Sequence, residues 1–259
     1  MRNEKILGYP VVVASPDLCI IELFSLIEAE TKVDAEIPFW LACFNPHSYA
    51  MTLQDETFSR ALKTADVLIP DGAGIVLASR LLGGAIQHRV TGSDVFAGLR
   101  KRMNAAGGMS VFFLGSTEET LRLIRQRMAR DYPNIKVAGT YSPPFKDVYS
   151  QAELDEMIRA VNAAAPDVLW VGMTAPKQEK FIFENRARLT VKFIAAVGGV
   201  FDFFAGTIRR DKDSWFVKHG LEWLPRLIQE PRRLWKRTLF SAPLFLLHVI
   251  KSKIKGIKI

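Results

Sequence analysis

The stretch Val67-Leu68-Ile69-Pro70-Asp71-Gly72-Ala73-Gly74 decides the fold class of this 259-residue chain. A short apolar run ends in a Gly-x-Gly turn, and a segment with helical periodicity follows at residues 75–82. The same alternation of apolar runs and helical segments recurs along the chain, which is typical of a sheet built from βαβ units. Because the runs are almost continuously apolar, the strands are predicted to be parallel and covered on both faces.

Seven such runs are predicted to be strands of an α/β fold, a Rossmann-like parallel sheet covered by helices on both faces. They lie at residues 11–14, 39–44, 67–69, 111–114, 136–140, 168–172 and 193–197. Helix starts agree with this pattern: residues 116–119 and 150–153 have the form of capping boxes, and Ser15-Pro16 places Pro at a first helical position. The composition changes near residues 206–213, so we place a boundary between a core at 1–208 and a C-terminal appendage at 209–259.

Positive charge is concentrated in the appendage. Residues 209–259 contain 13 Lys and Arg against 4 Asp and Glu, whereas residues 1–208 contain 22 against 23. The formal net charge of +8 therefore arises in the appendage. A near-neutral body with a basic, aromatic tail predicts an anionic partner, either a membrane surface or nucleic acid.

The appendage has the pattern of a basic amphipathic helical segment. If residues 224–239 are helical, Arg226, Arg233 and Arg237 fall within about 40° of one another around the helix axis, a stripe suited to a diphosphate. Tryptophans and closing lysines favour an anionic membrane interface; they are Trp215, Trp223, Trp235, Lys251, Lys253 and Lys255. The alternative is a solvated basic helix docked on the core. The apolar stretches fall short of the roughly 20 residues that a membrane span needs.

Polar and glycine-rich residues follow five of the predicted strands, and a further set, at residues 89–94, precedes a predicted helix. Because ligands of open α/β sheets bind outside the carboxyl ends of the strands, we expect these residues to meet at one edge of the sheet. The candidates are Asn45, Asp71, Arg89, Thr91, Gly92, Ser93, Asp94, Gly115, Ser116, Lys177, Gln178, Glu179, Gly198, Gly199 and Asp202.

Asp71 has two interpretations. Between a buried strand and a Gly-x-Gly turn, its carboxylate would be held in place yet open to a ligand, as a general base requires. Alternatively, Asp71 caps the helix that follows, which is a common role of Asp. The turn lacks the third glycine of the dinucleotide fingerprint, which disfavours a nicotinamide cofactor.

Two other motifs are each open to two interpretations. The segment Arg89-Val90-Thr91-Gly92-Ser93-Asp94 precedes a helix, where phosphate binding and capping by Thr91 or Ser93 both fit. Gln178 and Glu179 open another helix, where they either hydrogen-bond a sugar or base or supply ordinary polarity in its first turn.

Several other chemistries are not supported by the sequence. Cys19 and Cys43 are too few for a disulfide framework or a zinc site, so both are expected to be reduced. The four His lack metal-binding spacing, and the D-x-D at residues 211–213 fits a solvated charge cluster better than a metal site. We therefore predict no metal and no cofactor. No signal peptide is visible, so a cytosolic protein is expected.

Six blocks of the sequence resemble, in order, the WecG/TagA/CpsF glycosyltransferases. The blocks are ADVLIPDG at 65–72, RVTGSD at 89–94, FLGS at 113–116, PKQE at 176–179, GGVFD at 198–202, and LEWLPR with EPRR within 221–233. The resemblance covers roughly residues 5–240. Six ordered blocks are far more specific than any one motif.

The resemblance implies a peripheral enzyme at the inner face of the bacterial cell membrane. Such an enzyme transfers a sugar from a UDP-sugar to an undecaprenyl-diphosphate-linked saccharide, with inversion and without a metal. Typical members add N-acetylmannosamine or its uronic acid to undecaprenyl-diphosphate-N-acetylglucosamine, and relatives add glucose or another hexose.

The resemblance also implies roles for individual residues. Asp71 matches the general base, and Gln178 matches a polar residue of the substrate pocket. Arg226 and Arg233 match basic residues that contact the lipid diphosphate. The third basic position of that set is Lys236 in this chain, with Arg237 adjacent.

Three functions are therefore considered. A UDP-sugar-dependent transferase of cell-envelope polysaccharide synthesis is the leading hypothesis, and the same mechanism with UDP-glucose in exopolysaccharide assembly is its nearest alternative. An α/β module that binds nucleic acid through the basic tail is an alternative of another class, but it gives the polar strand ends no role. The transferase hypothesis predicts no nucleic-acid partner, and a homo-oligomer is compatible with the sequence.

Overall fold

The computed structural model describes residues 1–29, 37–208 and 240–256. Its strands are β1 (Asn3–Ile6), β2 (Tyr9–Val12), β3 (Phe39–Phe44), β4 (Val67–Pro70), β5 (Ser110–Gly115), β6 (Lys136–Tyr141), β7 (Val168–Gly172) and β8 (Phe193–Ala196). They form one sheet in the order β1-β2-β4-β3-β8-β7-β5-β6. Every pair of neighbours is parallel except β1 with β2. All seven predicted strands are confirmed, although β2 lies two residues earlier than predicted.

The antiparallel edge strand β1 was not predicted from the sequence. It alternates exposed and buried residues, so it has no continuous apolar run. A two-residue turn joins it to β2, with φ of 50° at Leu7 and 86° at Gly8. Positive φ at both central residues matches the right-handed twist of paired strands, and this is the hairpin geometry that glycine favours.

Helices cover both faces of the sheet. They are α1 (Pro16–Ala29), α2 (Pro46–Thr52), α3 (Glu56–Lys63), α4 (Ala73–Leu82), α5 (Gly92–Ala106), α6 (Glu118–Asp131), α7 (Gln151–Ala164), α8 (Lys177–Asn185), α9 (Val200–Ala205) and α10 (Ala242–Ile254). Successive strand residues point to opposite faces, so Trp40 joins one apolar cluster and Leu41 the other. Helices α1, α5, α6 and α9 contribute to the Leu41 cluster, and the remaining helices contribute to the Trp40 cluster. The predicted α/β fold class is confirmed.

The predicted helix starts are confirmed at two of three places. Helix α1 begins at Pro16, and Ser150 forms the predicted capping box with Glu153. The prediction for Ser116 was wrong, because its φ of 61° is left-handed whereas an N-cap residue is extended. Thr117 caps α6 instead, accepting a hydrogen bond from the amide of Thr120.

Helix α10 packs on α2 and α4, so part of the predicted appendage lies against the core. Phe245 is 2% exposed, and its ring lies 5.3 Å from that of Tyr49. The Tyr49 hydroxyl and His248 Nδ1 are 2.7 Å apart, and His47 Nδ1 lies 3.0 Å from Ser241 Oγ. Residues 209–239 lie outside the described ranges, so the boundary at 208/209 stays a prediction. Among the helices that the structure describes, none is long and apolar enough to span a membrane.

Candidate active site

Asp71 lies where β4 ends, at the carboxyl edge of the sheet. Its amide donates to the carbonyl oxygen of Phe44 at 2.8 Å, which ties the end of β4 to the end of β3. Gly72 follows with φ of 114°, a conformation that side chains disfavour, and Gly72 is the N-cap of α4. The capping interpretation of Asp71 is therefore wrong. Its half-buried carboxylate lies at the edge where ligands of such sheets bind.

Asn45 connects the start of α2 to Asp71. Its Oδ1 accepts hydrogen bonds from the amides of His47 and Ser48, at 3.0 and 2.9 Å. Because Oδ1 is occupied by two donors, the Nδ2 group is turned to Asp71 and donates to Oδ2 at 3.3 Å. The amide of Asn45 thus orients the carboxylate of Asp71.

A close approach of two helices brings these residues together. A Cβ atom on Gly74 would lie 2.6 Å from Cγ of Pro46, well inside contact distance. Only glycine at this position lets the start of α4 approach the start of α2 as it does. The Gly-x-Gly turn therefore has a packing role, which the comparison with the dinucleotide fingerprint did not indicate.

The loop before α5 is attached to the same edge. The amide of Val90 donates to the carbonyl oxygen of Pro70 at 3.0 Å, and Arg89 beside it is half-buried. Gly92 is buried, and a Cβ there would lie 3.3 Å from Sγ of Cys43 at the end of β3.

The α5 start is closed by a capping box of Thr91 and Asp94. Thr91 Oγ1 accepts from the Asp94 amide at 3.2 Å, and Asp94 Oδ2 accepts from the Thr91 amide at 2.9 Å. Capping by Thr91 is confirmed, and Ser93 is not the cap. The Asp94 carboxylate places negative charge at this helix start, which opposes a second anion there. Phosphate binding by this loop stays a prediction.

Gln178, Glu179 and Gly198 form a buried hydrogen-bonded chain between α8 and the end of β8. Gln178 Nε2 donates to Glu179 Oε1 at 2.8 Å, and the amide of Gly198 donates to Gln178 Oε1 at 3.0 Å. Gln178 is 4% exposed and Glu179 is 2% exposed. The interpretation of Gln178 and Glu179 as ordinary polar residues of an exposed first helical turn is therefore wrong. Burial raises the pKa of Glu179 to about 7.

Ser116, directly after β5, meets Asp202 in the first turn of α9, the helix that follows β8. Ser116 Oγ donates to Asp202 Oδ1 at 3.5 Å, and Ser142, which was not among the predicted residues, donates to the Ser116 carbonyl oxygen at 2.8 Å. Gly115 pairs with Gly172 of β7, and a Cβ on Gly115 would lie 2.5 Å from the Gly172 carbonyl oxygen. Glycine is needed there for close packing.

The last candidates differ in how the structure places them. Gly199 is exposed and is the N-cap of α9. Lys177 Nζ donates to the carbonyl oxygen of Lys146 at 2.8 Å and lies 5.0 Å from the centre of the Phe145 ring. The predicted diphosphate contacts lie outside the described residues; they are Arg226, Arg233, Lys236 and Arg237.

The fold and this edge define a Rossmann-like α/β enzyme whose candidate residues follow β3, β4, β5, β7 and β8. A model of the family described as "Glycosyl transferase WecG/TagA/CpsF family" matches residues 4–258. The chain belongs to this family and is a glycosyltransferase.

Three relatives share the name N-acetylglucosaminyldiphosphoundecaprenol N-acetyl-beta-D-mannosaminyltransferase. The protein of Bacillus subtilis (strain 168) is 32% identical over 98% of this chain and 93% of its own length. That of Bacillus spizizenii is 33% identical over 86% of this chain and 83% of its own. That of Staphylococcus aureus (strain MW2) is 27% identical over 82% and 79%, respectively.

Proposed function

We propose that this enzyme transfers N-acetylmannosamine from a UDP-sugar to undecaprenyl-diphosphate-linked N-acetylglucosamine, with inversion, in the synthesis of a cell-envelope polysaccharide. The relatives' name gives the sugar and the acceptor. The observation that carries the proposal is the Asp71 carboxylate, which is oriented by Asn45 and is not the helix cap. UDP-glucose is the alternative donor for the same reaction.

In the proposed reaction, Asp71 accepts the proton of the acceptor hydroxyl. The hydroxyl oxygen forms a bond to the anomeric carbon on the face opposite UDP. The bond from that carbon to the diphosphate oxygen breaks, and its electron pair leaves with UDP. A carboxylate oriented in this way supplies general-base catalysis, which typically contributes about 10²- to 10⁴-fold in rate.

We assign the lipid diphosphate to the basic residues of the appendage, and we expect no metal. Arg226 and Arg233 would pair with it through bidentate guanidinium contacts, with Lys236 and Arg237 beside them. Family membership favours this function over the nucleic-acid-binding module. Sugar transfer also gives the polar residues at the strand ends a role, which nucleic-acid binding does not.

We also propose that the enzyme works as a peripheral protein on the anionic inner face of the cell membrane. Helix α10 exposes Leu247, Ile250 and Ile254. Next to them lie the exposed Lys251, Lys253 and Lys255. Apolar and basic side chains side by side suit the boundary between acyl chains and anionic headgroups.

The decisive experiment measures UDP release from a panel of UDP-sugars with a synthetic polyprenyl-diphosphate-N-acetylglucosamine acceptor, with and without EDTA. We expect acceptor-dependent turnover of UDP-N-acetylmannosamine that EDTA does not reduce. If UDP-glucose is the sugar nucleotide that is turned over, it is the donor in place of UDP-N-acetylmannosamine. Loss of activity with EDTA would contradict metal independence. The absence of turnover with every donor would refute the proposed function.

Asp71→Asn is expected to lower kcat by about 100-fold or more without changing the thermal denaturation midpoint, because the amide cannot accept the proton. Asp17→Asn is the matched control, since Asp17 is an exposed carboxylate in the first turn of α1, after β2. A value of kcat for Asp71→Asn close to that of the control would remove Asp71 from the role of base.

A further inference from the structure

Glu179 is a buried acid in the first turn of α8. An acidic residue in a first helical turn commonly lies in water, where it complements the helix dipole. Glu179 is 2% exposed instead. It follows β7 closely, at the edge of the sheet that carries the other candidate residues. Its position therefore calls for a reason other than helix stability.

The hydrogen bonds of Glu179 fix the side chain of Gln178. The amide of Gly198 can only donate, so the Gln178 carbonyl oxygen must face it, at 3.0 Å. The Nε2 group then faces Glu179 Oε1, at 2.8 Å. If the Gln178 amide were flipped, its NH2 group would face another donor. Glu179 thus holds the amide of Gln178 in one orientation against the loop after β8.

The second oxygen of Glu179 is buried without a hydrogen-bond partner among the described residues. A carboxylate in such a place is unfavourable, because one oxygen has lost water and gained no donor. Burial accordingly raises the pKa of the group to about 7. Among the described charged groups, none contributes to this shift, and the neighbouring Lys180 is paired with Asp55 of α3 at 3.0 Å.

We propose that Glu179 is a positioning residue of the transferase site, whose Oε1 atom holds the Gln178 amide against Gly198 and which does not itself touch the substrate. The hydrogen bond from Gln178 Nε2 favours the ionised form of Glu179, although burial of the carboxyl group outweighs this effect and raises the pKa. When Glu179 ionises, the hydrogen bond to the Gln178 amide therefore becomes stronger. The proposal rests on the proposed function for its kinetic consequence, but the titration of the amide can be read without any substrate.

The kinetic test compares Glu179→Gln with the wild type over pH 6 to 8.5. Glutamine keeps an oxygen acceptor for Gln178 and cannot ionise. We expect the ratio of kcat/KM for Glu179→Gln to that of the wild type to fall about fivefold across this range, because the ionised carboxylate of the wild type accepts a stronger hydrogen bond from Gln178 than glutamine can. Glu184→Gln, an exposed acid on the same helix, is the matched control, and its ratio should stay flat. A flat ratio for Glu179→Gln would overturn the proposal.

A double-mutant cycle tests whether Glu179 acts through Gln178. Glu179→Leu removes the acceptor, and we expect it to raise the donor KM about tenfold in the wild type and to have little further effect in a Gln178→Ala background. Additive effects of the two substitutions would show that Glu179 acts independently, which would contradict the proposal.

Nuclear magnetic resonance separates this inference from the proposed function. The side-chain amide resonances of Gln178, identified by their loss in Gln178→Ala, should shift with a midpoint near pH 7 in the wild type and not in Glu179→Gln. If no UDP-sugar is turned over but this titration is seen, the proposed function fails and the coupling of Glu179 to Gln178 stands. If the resonances do not titrate, the proposal fails whatever the enzyme's substrate.

Discussion

Asn45 and Asp71 are joined by a hydrogen bond of 3.3 Å, although they are 26 positions apart in the chain. Each could be singled out from the sequence, because each directly follows an apolar strand. Their contact could not, because it depends on β3 and β4 being neighbours and on the close approach of α2 to α4. The burial of Glu179 could not be predicted either, since an acidic residue in the first turn of a helix is usually exposed to solvent.

At the residue scale, Asn45→Asp tests whether the orientation of Asp71 matters. Aspartate keeps the acceptor that caps α2 but replaces the donating amide with a second negative charge. The like charge should favour protonation of the pair, so the acidic limb of the pH profile of kcat/KM should move to higher pH. We expect activity at neutral pH to fall by about tenfold.

Asn45→Ser provides the control for that substitution. Serine also caps helices well, but it adds no charge beside Asp71. Its acidic limb should move less than that of Asn45→Asp, because serine removes the hydrogen bond to Asp71 without adding a negative charge. An acidic limb in Asn45→Asp that coincides with that of Asn45→Ser would show that the Asn45 side chain has no electrostatic influence on the base.

At the scale of elements, the sequence predicts what local periodicity determines and misses what contacts determine. The seven apolar strands were visible as runs, whereas β1 is a polar edge strand whose buried residues alternate with exposed ones. The residue pattern around Ser116 resembled a capping box, but its left-handed backbone moves the cap to Thr117. Helix α10 carries an apolar pattern, and only the structure shows that it packs on α2 and α4.

Helix α10 should be held to the core chiefly by Phe245. Phe245→Ala removes a fully packed ring, and such changes typically cost about 3 to 5 kcal/mol of unfolding free energy. We expect amide hydrogens of α10 to exchange faster with solvent in this variant. Because α10 contacts α2, whose N-cap is Asn45, kcat should fall as well.

Leu247→Ala on the same helix is the matched control for Phe245→Ala. Leu247 is 47% exposed, so its loss should change the free energy of unfolding by less than about 1 kcal/mol. Equal exchange rates in the two variants would show that α10 is not anchored through its buried face.

At the scale of the whole molecule, the placement of charge matters more than its sum. The net charge of +8 could be read from the sequence, as could its concentration after residue 208. Where the basic groups lie relative to the candidate site could not, because that depends on how the C-terminal segment packs. In the described part, the lysines lie at the C-terminal end of α10, and α10 contacts α2, whose N-cap is Asn45.

Replacing Lys251, Lys253 and Lys255 together by Ala should weaken binding to vesicles that contain anionic lipid. Each basic residue near such a surface contributes about 1 kcal/mol, so the three together give a loss of up to about 100-fold in partition coefficient at low salt. Co-sedimentation measures the effect, which should shrink as salt is raised.

A variant of equal net charge serves as the control for the lysine substitutions. The control residues are exposed at the edge of the sheet opposite the candidate active site. They are Lys101 and Arg102, near the end of α5, and Lys136, at the start of β6. Their replacement by Ala removes the same charge but should leave vesicle binding close to that of the wild type. Equal losses in the two triple variants would mean that net charge alone governs the attraction.

The contact between Gly74 and Pro46 allows the distance between Asn45 and Asp71 to be changed without substituting either of these two residues. A methyl group at position 74 would push α4 from α2, and trimming Pro46 to Ala would make room for it. Neither residue takes part in the proposed proton transfer, yet together they set how far the Asp71 carboxylate stands from the Asn45 amide. The pair acts as a spacer, and a graded series at these two positions would show how steeply sugar transfer depends on that separation.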